Sequence, residues 1–267
     1  MNKTERLQIL VATHKEYIMP NEKIYLPIHV GKEGKKEIGF IGDNTGENIS
    51  QKNKNYCELT ALYWAWKNLD CEYVGLCHYR RYFSNKGLAA SNKQNNDSAF
   101  SQILSKENID ELMNNYDVIL PKKRNYFIES IWSHYDHAHN ITDLEKTKII
   151  FKEYYPEYLD SFNKIMFGKK LHLFNMFLMK KQLFNEYSEW LFDILQKLES
   201  EINIENYNPY QARVYGFISE RLFNVWLEYQ SLKVKELEIV TLEKENKLAK
   251  YYKFLNRKIK GNDPIYN

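Results

Sequence analysis

Three short runs fix the kind of sheet this chain can build. LQILVAT (residues 7–13), YVGLC (73–77) and YDVILP (116–121) are apolar or β-branched at successive positions, not at alternate ones. A strand that is apolar on both faces must be covered on both, which is the condition of a largely parallel sheet packed between helices. IYLPIHV (24–30), closed by Gly31, reads as a further strand, and LHLFNMFLM (171–179) as another. Between them, Leu59, Leu62, Tyr63, Trp66 and Leu69 recur at helical spacing, with Glu58 in the first turn. Helices are also predicted over 102–115, 143–166, 180–200 and part of 208–229. Alternating strands and helices predict a three-layer α/β domain with the extra helices packed at one end.

With 267 residues the chain fits one α/β domain. The segment SNKGLAASNKQNNDSAF (84–100) reads as a loop inside that domain, because structured sequence resumes beyond it. The boundaries drawn are a domain over 1–240 and a basic, aromatic tail over 241–267. In that tail KYYKFLNRK (250–258) can form a basic amphipathic helix. Lys250, Lys253, Arg257 and Lys258 would then meet anionic headgroups, or the helix simply packs on the domain.

Charge and cysteine usage exclude several classes. A net charge of +3 is too small for a nucleic-acid binder, which carries a stronger basic stripe. Cys57, Cys71 and Cys77 are odd in number and form no CxxC pair, which argues against a disulfide framework or structural zinc and fits a reducing compartment. No apolar run is long enough for a signal sequence or a membrane span. The expectation is a soluble cytoplasmic protein that touches the inner face of the membrane.

Four stretches carry chemistry, each with a plain reading beside it. GDNTGENIS (42–50) is either a surface loop or a polar loop at the carboxyl edge of the sheet, where open α/β sheets bind ligands. It lacks GxGxxG and GK[ST], so neither a dinucleotide fold nor a P-loop is indicated. HYRRYF (78–83) puts two arginines at a strand end, where their planar donor forks suit a diphosphate or ordinary ion pairs. On a continuing strand only one of Arg80 and Arg81 would point inward. WSHYDHAHN (132–140) offers His134, Asp136, His137 and His139, but no HExxH. These can be hydrogen-bonding groups of a polar loop, metal ligands, or contacts to the hydroxyls of a sugar acceptor. In GFISERLF (216–223) Ser219 and Glu220 stand at an expected helix start, so Glu220 is either favoured by the macrodipole or a general base aimed into the cleft.

Taken in order, THKEY (13–17), PIHVGK (27–32), GDNTGENIS, YCELTALYWAWKN (56–68), GLCHYRRYF (75–83), HLFNMFLMKKQLF (172–184) and GFISERLFNVW (216–226) resemble a known bacterial family. It occurs in capsule, O-antigen and exopolysaccharide clusters. First catalogued as a domain of unknown function, it was later placed among glycosyltransferases as a galactofuranosyltransferase family. The resemblance covers about residues 7–230. It implies a GT-A-like α/β fold with a mostly parallel central sheet, flanking helices and a helical C-terminal part.

It also implies inverting transfer from UDP-galactofuranose to a lipid-linked glycan. A relative on the same fold could take another UDP-hexose, or hold a glycan without transferring it. Ala12, Thr13 and His14 close the first strand, where GT-A enzymes receive the uridine, and Asp43, Asn48 and Ser50 are expected donor contacts. Where GT-A enzymes usually carry a DxD that holds Mn²⁺ or Mg²⁺, this chain has His78, Arg80 and Arg81. The expectation is that these groups neutralise the diphosphate directly, with a divalent metal as the alternative. Glu220 is the expected base, Asp136 or Asp143 the reserve, and His134, Asp136 and His137 the expected acceptor contacts.

Overall fold

A computed structural model describes residues 6–88 and 100–242. The strands are β1 (Leu7–Thr13), β2 (Tyr25–His29), β3 (Ile41–Gly42), β4 (Tyr73–His78), β5 (Arg81–Phe83), β6 (Val118–Pro121), β7 (Arg124–Asn125), β8 (Lys170–Leu171), β9 (Phe177–Lys180), β10 (Val234–Leu237) and β11 (Ile239–Thr241). The helices are α1 (Asn53–Tyr56), α2 (Leu59–Asn68), α3 (Lys106–Asn115), α4 (Ile131–Ala138), α5 (Ile141–Tyr154), α6 (Leu159–Met166), α7 (Lys181–Glu201) and α8 (Val214–Gln230).

The main sheet runs β10-β6-β9-β4-β1-β2-β3, with β5 joining β4 to β11. β10 and β6, and likewise β4, β1, β2 and β3, pair in parallel, while β9 is antiparallel to both neighbours. Strand period explains the two-faced burial expected from LQILVAT. Leu10 and Ala12 of β1, with Val74 and Leu76 of β4, enter one core with α2 and α4–α8. Leu7, Ile9 and Val11 enter a second core with Cys77 and, from α3, Ile109, Leu112 and Met113. The outer layers are therefore unequal. One face carries nearly all the helices and the other is closed by α3 and the segments around β5.

Several local expectations are corrected. The predicted helix over 143–166 is two, because Pro156 cannot extend α5 and begins a short 3-10 turn before α6. The predicted strand over 171–179 is interrupted, because Phe174 (φ 74°) and Asn175 (φ 50°) adopt left-handed backbone. WSHYDHAHN is not a loop. Ser130 accepts the N–H of Ser133, capping α4, and Ile131 and Tyr135 bury its inner face. HYRRYF is not a continuing strand but a hairpin, in which Tyr79 and Arg80 form the turn and His78 pairs with Arg81. β10 and β11 follow α8, and β11 crosses the boundary drawn at residue 240. Residues 89–99, and the proposed tail from 243 onward, lie outside the described residues. Among the described residues no helix is long and apolar enough to cross a membrane.

Candidate active site

The carboxyl ends of β1, β2 and β3 lie side by side, with Thr13 in register with His29 and His29 in register with Gly42. Asp43 sits just past them, fully buried, and its carboxylate accepts four hydrogen bonds. Two come from the backbone N–H groups of Gly31 and Lys32 at 2.7 and 3.0 Å. Two come from the hydroxyls of Ser50 and Thr60, both at 2.5 Å. Asp43 and Ser50 are thus brought together, but they are directed at their own chain and lock the loop to β2 and α2. Asn48 turns inward too, accepting the N–H of Ser50 at 3.1 Å. Gly31 must be glycine, since its φ of +59° and the Asn53 side chain leave no place for a Cβ.

Around these strand ends other groups face outward. His14 is exposed and packs edge-on against Tyr79, with ring centroids 5.5 Å apart. Lys15 stands over the same Tyr79 ring, and the Thr13 hydroxyl donates to the Lys15 carbonyl. Burial, then the charges of Lys15 and Arg80, push the His14 imidazole below its usual value. His29 was not foreseen from the sequence. It is only 1% exposed, yet neither ring nitrogen has a hydrogen-bond partner. Burial, followed by Lys35, keeps its imidazole neutral.

The second half of the site is built around Phe174 and Asn175, which interrupt the predicted strand. The Phe174 N–H donates to Glu220 Oε1 at 2.7 Å, and its carbonyl lies 2.7 Å from His78 Nε2. A carbonyl can only accept, so Nε2 carries the proton and Nδ1 is left with the lone pair. Asn175 Nδ2 donates to Glu58 Oε1 at 2.7 Å, and the Ser219 hydroxyl lies 3.3 Å from Asn175 Oδ1. One two-residue kink therefore joins β4, the residue that begins α2, and α8. Arg81 stacks over the Phe174 ring at 4.6 Å, and Arg80 over Tyr79 at 4.9 Å.

Cys57, Glu58, Arg213, Gly216, Phe217 and Glu220 line a cavity of about 80 Å³ here. Gly216 lets α8 approach, because a Cβ there would meet Cys57 Sγ at 3.2 Å. Glu220 is not at the helix start. α8 begins at Val214, preceded by a turn in which Asn208 Oδ1 accepts the N–H groups of Tyr210 and Gln211. That places Glu220 well inside α8, beyond the reach of the helix-end charge. Its carboxyl is instead held above the ordinary glutamate range chiefly by burial, with Arg221 opposing and Glu58 adding to the rise. His78 is shifted the other way, again mainly by burial, so it stays neutral. Burial pushes the Cys57 thiol up to about 11, which disfavours the thiolate.

α4 separates the three expected acceptor contacts. His134 packs against Tyr126 with centroids 4.3 Å apart, its Nδ1 buried without a partner. Burial and then Arg221 depress it to about 4. Asp136 and His137 lie on the exposed face, where His137 pairs with Glu129 at 3.3 Å. The reserve Asp143 is buried and accepts the Tyr207 hydroxyl at 2.7 Å. A larger recess of about 290 Å³ lies along the later part of α8, where His172 is held between Asn224 and Glu236. None of the residues expected from the sequence lines it.

The donor set does not suit a divalent cation at the end of β4. Arg80 and Arg81 are cationic, and Glu58 and Glu220 each already accept a hydrogen bond from the kink. Among the described residues no three His, Cys, Asp or Glu side chains converge as a metal site.

The family model described as "Domain of unknown function (DUF4422)" matches residues 8–231, most of the chain. The chain belongs to this family. A solved apo structure of WbbM, a bifunctional glycosyltransferase, superposes on this DUF4422 chain with a TM-score of 0.82 and 37% identity. The match covers 88% of this chain and 45% of WbbM, so the DUF4422 chain spans under half of that neighbour. The shared architecture is the α/β glycosyltransferase fold, a mostly parallel sheet flanked by helices with a helical C-terminal part. No curated protein matches the chain.

Glu58, Cys57, Arg213 and the Phe174–Asn175 kink are site residues that sequence reasoning did not assign. One signal was available for the kink, because Asn in an otherwise apolar run tolerates left-handed backbone better than its neighbours do.

Proposed function

We propose that this protein transfers galactofuranose, with inversion, from UDP-galactofuranose to a lipid-linked glycan of a cell-surface polysaccharide. The observation that carries the reading is the partly buried Glu220 carboxyl, held above its ordinary range and facing a cavity beside the His78–Arg80–Arg81 hairpin. Inverting transfer needs a base on the acceptor hydroxyl and positive charge at the departing diphosphate, on opposite sides of the anomeric carbon. Glu220 is the base. A raised carboxyl is a stronger acceptor of a hydroxyl proton than an ordinary glutamate, and the second oxygen remains beside Arg221 at 3.5 Å.

Arg80 and Arg81 receive the diphosphate, and neutral His78, fixed by its bond to Phe174, orients the hairpin. Uridine lies across the ends of β1 and β2, among Ala12, Thr13 and His14. There the unpartnered His29 imidazole can bond a polar edge of the base. Asp43, Asn48 and Ser50 support this end by fixing the loop beneath it. Of the acceptor groups, His134 is the inward-facing one. Asp136 and His137 would meet only the outer part of a long glycan.

The deciding experiment incubates the full chain with UDP-galactofuranose, UDP-galactopyranose and UDP-glucose, each with synthetic lipid-linked acceptors. A β-linked furanoside from the first donor supports the reading. Transfer only from a pyranose donor, or glycan binding without transfer, sinks it.

A further inference from the structure

β7 and β8 form a separate two-stranded ribbon, pairing Arg124 with Leu171 and Asn125 with Lys170. Its tip does not follow the usual rule for surface turns. Phe127 and Ile128, adjacent in sequence, are 75% and 73% exposed. The turn is held and not slack, because the Phe127 N–H donates to Asn125 Oδ1 at 2.9 Å and the Ile128 N–H to the Tyr126 carbonyl at 2.7 Å. Phe127 is kept at a φ of 55°, a costly conformation for an aromatic residue.

The chain end of α6 is fastened against this turn. Lys169 accepts the Tyr126 N–H and Gly168 accepts the Ile131 N–H through their carbonyls, at 2.8 and 2.9 Å. That puts Phe167, 61% exposed, on the same edge. Trp132 stacks on Phe167 with centroids 6.1 Å apart, and the Lys148 ammonium stands 5.6 Å from both rings.

Basic residues outnumber acidic ones around this apolar tip. Arg124, Lys148, Lys169 and Lys170 belong to the ribbon and to α5 beside it, and none of the four is in an ion pair among the described residues. Glu129, the acid of the turn, is engaged by His137. A projecting tip of large apolar side chains ringed by unpaired cations matches a bilayer surface, where apolar groups sink below the headgroups and cations meet lipid phosphate. A second copy of this chain would bring the same cations against one another.

We propose that the β7–β8 ribbon, with Phe127, Ile128 and Phe167 at its edge, docks the protein on anionic lipid. This deepens the lipid-linked reading of the acceptor, since His134 packs on Tyr126 of the same turn. It depends on lipid binding alone, so vesicle binding without transfer would leave it standing while the transfer reading failed.

The test is co-sedimentation of the full chain with phosphatidylcholine vesicles, with and without about one third phosphatidylglycerol. The expected result is salt-sensitive binding to the anionic vesicles. F127D/I128D should weaken it about tenfold or more without lowering the melting temperature. K169E/K170E should weaken it by a similar factor, about tenfold, on anionic vesicles. The proposal is overturned if the chain does not bind anionic vesicles. It is also overturned if both variants bind as the parent does, which would place the anchor elsewhere, such as residues 243–267. A change of oligomeric state in F127D/I128D with vesicle binding unchanged would make the tip a contact between copies.

Discussion

Glu220 and His78 hold the same residue from opposite sides, the carboxylate accepting the Phe174 N–H and the imidazole donating to the Phe174 carbonyl, each at 2.7 Å. Left-handed backbone at a non-glycine residue costs roughly 1–2 kcal/mol. A hydrogen bond to an ionised group returns about 1.5–3 kcal/mol and a neutral one about 1 kcal/mol. The grip is of the same size as the strain, and Glu220 and His78 are both placed by the kink they hold.

Glu220→Gln separates chemistry from structure. The amide oxygen can still accept the Phe174 N–H, and a partly buried charge is removed. Turnover should fall about 10²–10⁴-fold while the melting temperature at pH 8 stays level or rises. Near-normal turnover in the variant would end the assignment. If Glu220 is the base, the acid limb of kcat/KM in the parent protein should lie above the ordinary glutamate value, because a base must be ionised to work.

Asn175→Ala tests the other arm of the kink. It removes the bond to Glu58 and puts alanine where the backbone is left-handed. The expected loss is about 2–3 kcal/mol by urea denaturation. Asn175→Gly, which keeps the backbone freedom, should lose less. Equal losses for the two variants would mean that backbone strain is not part of the balance.

Asp43→Asn should be among the most destabilising single-atom changes in the chain. An amide NH₂ cannot accept from Gly31, Lys32, Ser50 or Thr60, so part of a buried network is left facing donors. A cost on the order of 3 kcal/mol is expected. A melting temperature like the parent's would show that Asp43 is free to serve a ligand instead.

Arg81→Ala and Arg80→Ala should each lower kcat/KM for the nucleotide donor about 10–100-fold, the worth of one charge-assisted bond to phosphate. Activity should survive EDTA. Strict loss in EDTA, restored by Mn²⁺, would transfer the diphosphate role from the arginines to a metal.

Stability should fall on acidification earlier than carboxylate titration alone would give. His78, His134 and His139 are all depressed in the fold, mainly by burial, the last two to about 4 and about 3. Between those values and about 6.5, the unfolded chain binds protons that the folded chain does not, so stability drops as pH falls through that window. Glu220, shifted upward, works in the opposite sense and softens the drop. Thermal melts across pH 4–8 would read this slope directly, and a flat profile above pH 5 would contradict it.

The sheet and its two-sided burial were legible because strand period and apolar composition are local properties. LQILVAT, YVGLC and YDVILP each fall on a central strand. The HYRRYF hairpin was hidden because nothing in the residues marks its turn. Tyr79–Arg80 lacks the usual Gly or Asn, and the reversal is held by pairing to β11, more than a hundred residues downstream. α4 was misread for a related reason. Its histidines suggested a polar loop, whereas Ser130 and the pair Ile131–Tyr135 decide the helix. Glu220 was reached through resemblance, but its surroundings come from Phe174, whose partners lie 46 and 96 residues away in the chain.

β11 pairs along β5, with Thr241 opposite Arg81, and the Leu242 N–H donates to the Arg80 carbonyl. The arginine hairpin therefore takes its shape from a strand that is synthesised well after it. A nascent chain could complete β1, β4 and the first helices long before Arg80 and Arg81 are in position. Any ligand that needs the finished hairpin would then have to wait until β11 has emerged, a form of timing built into the order of the strands.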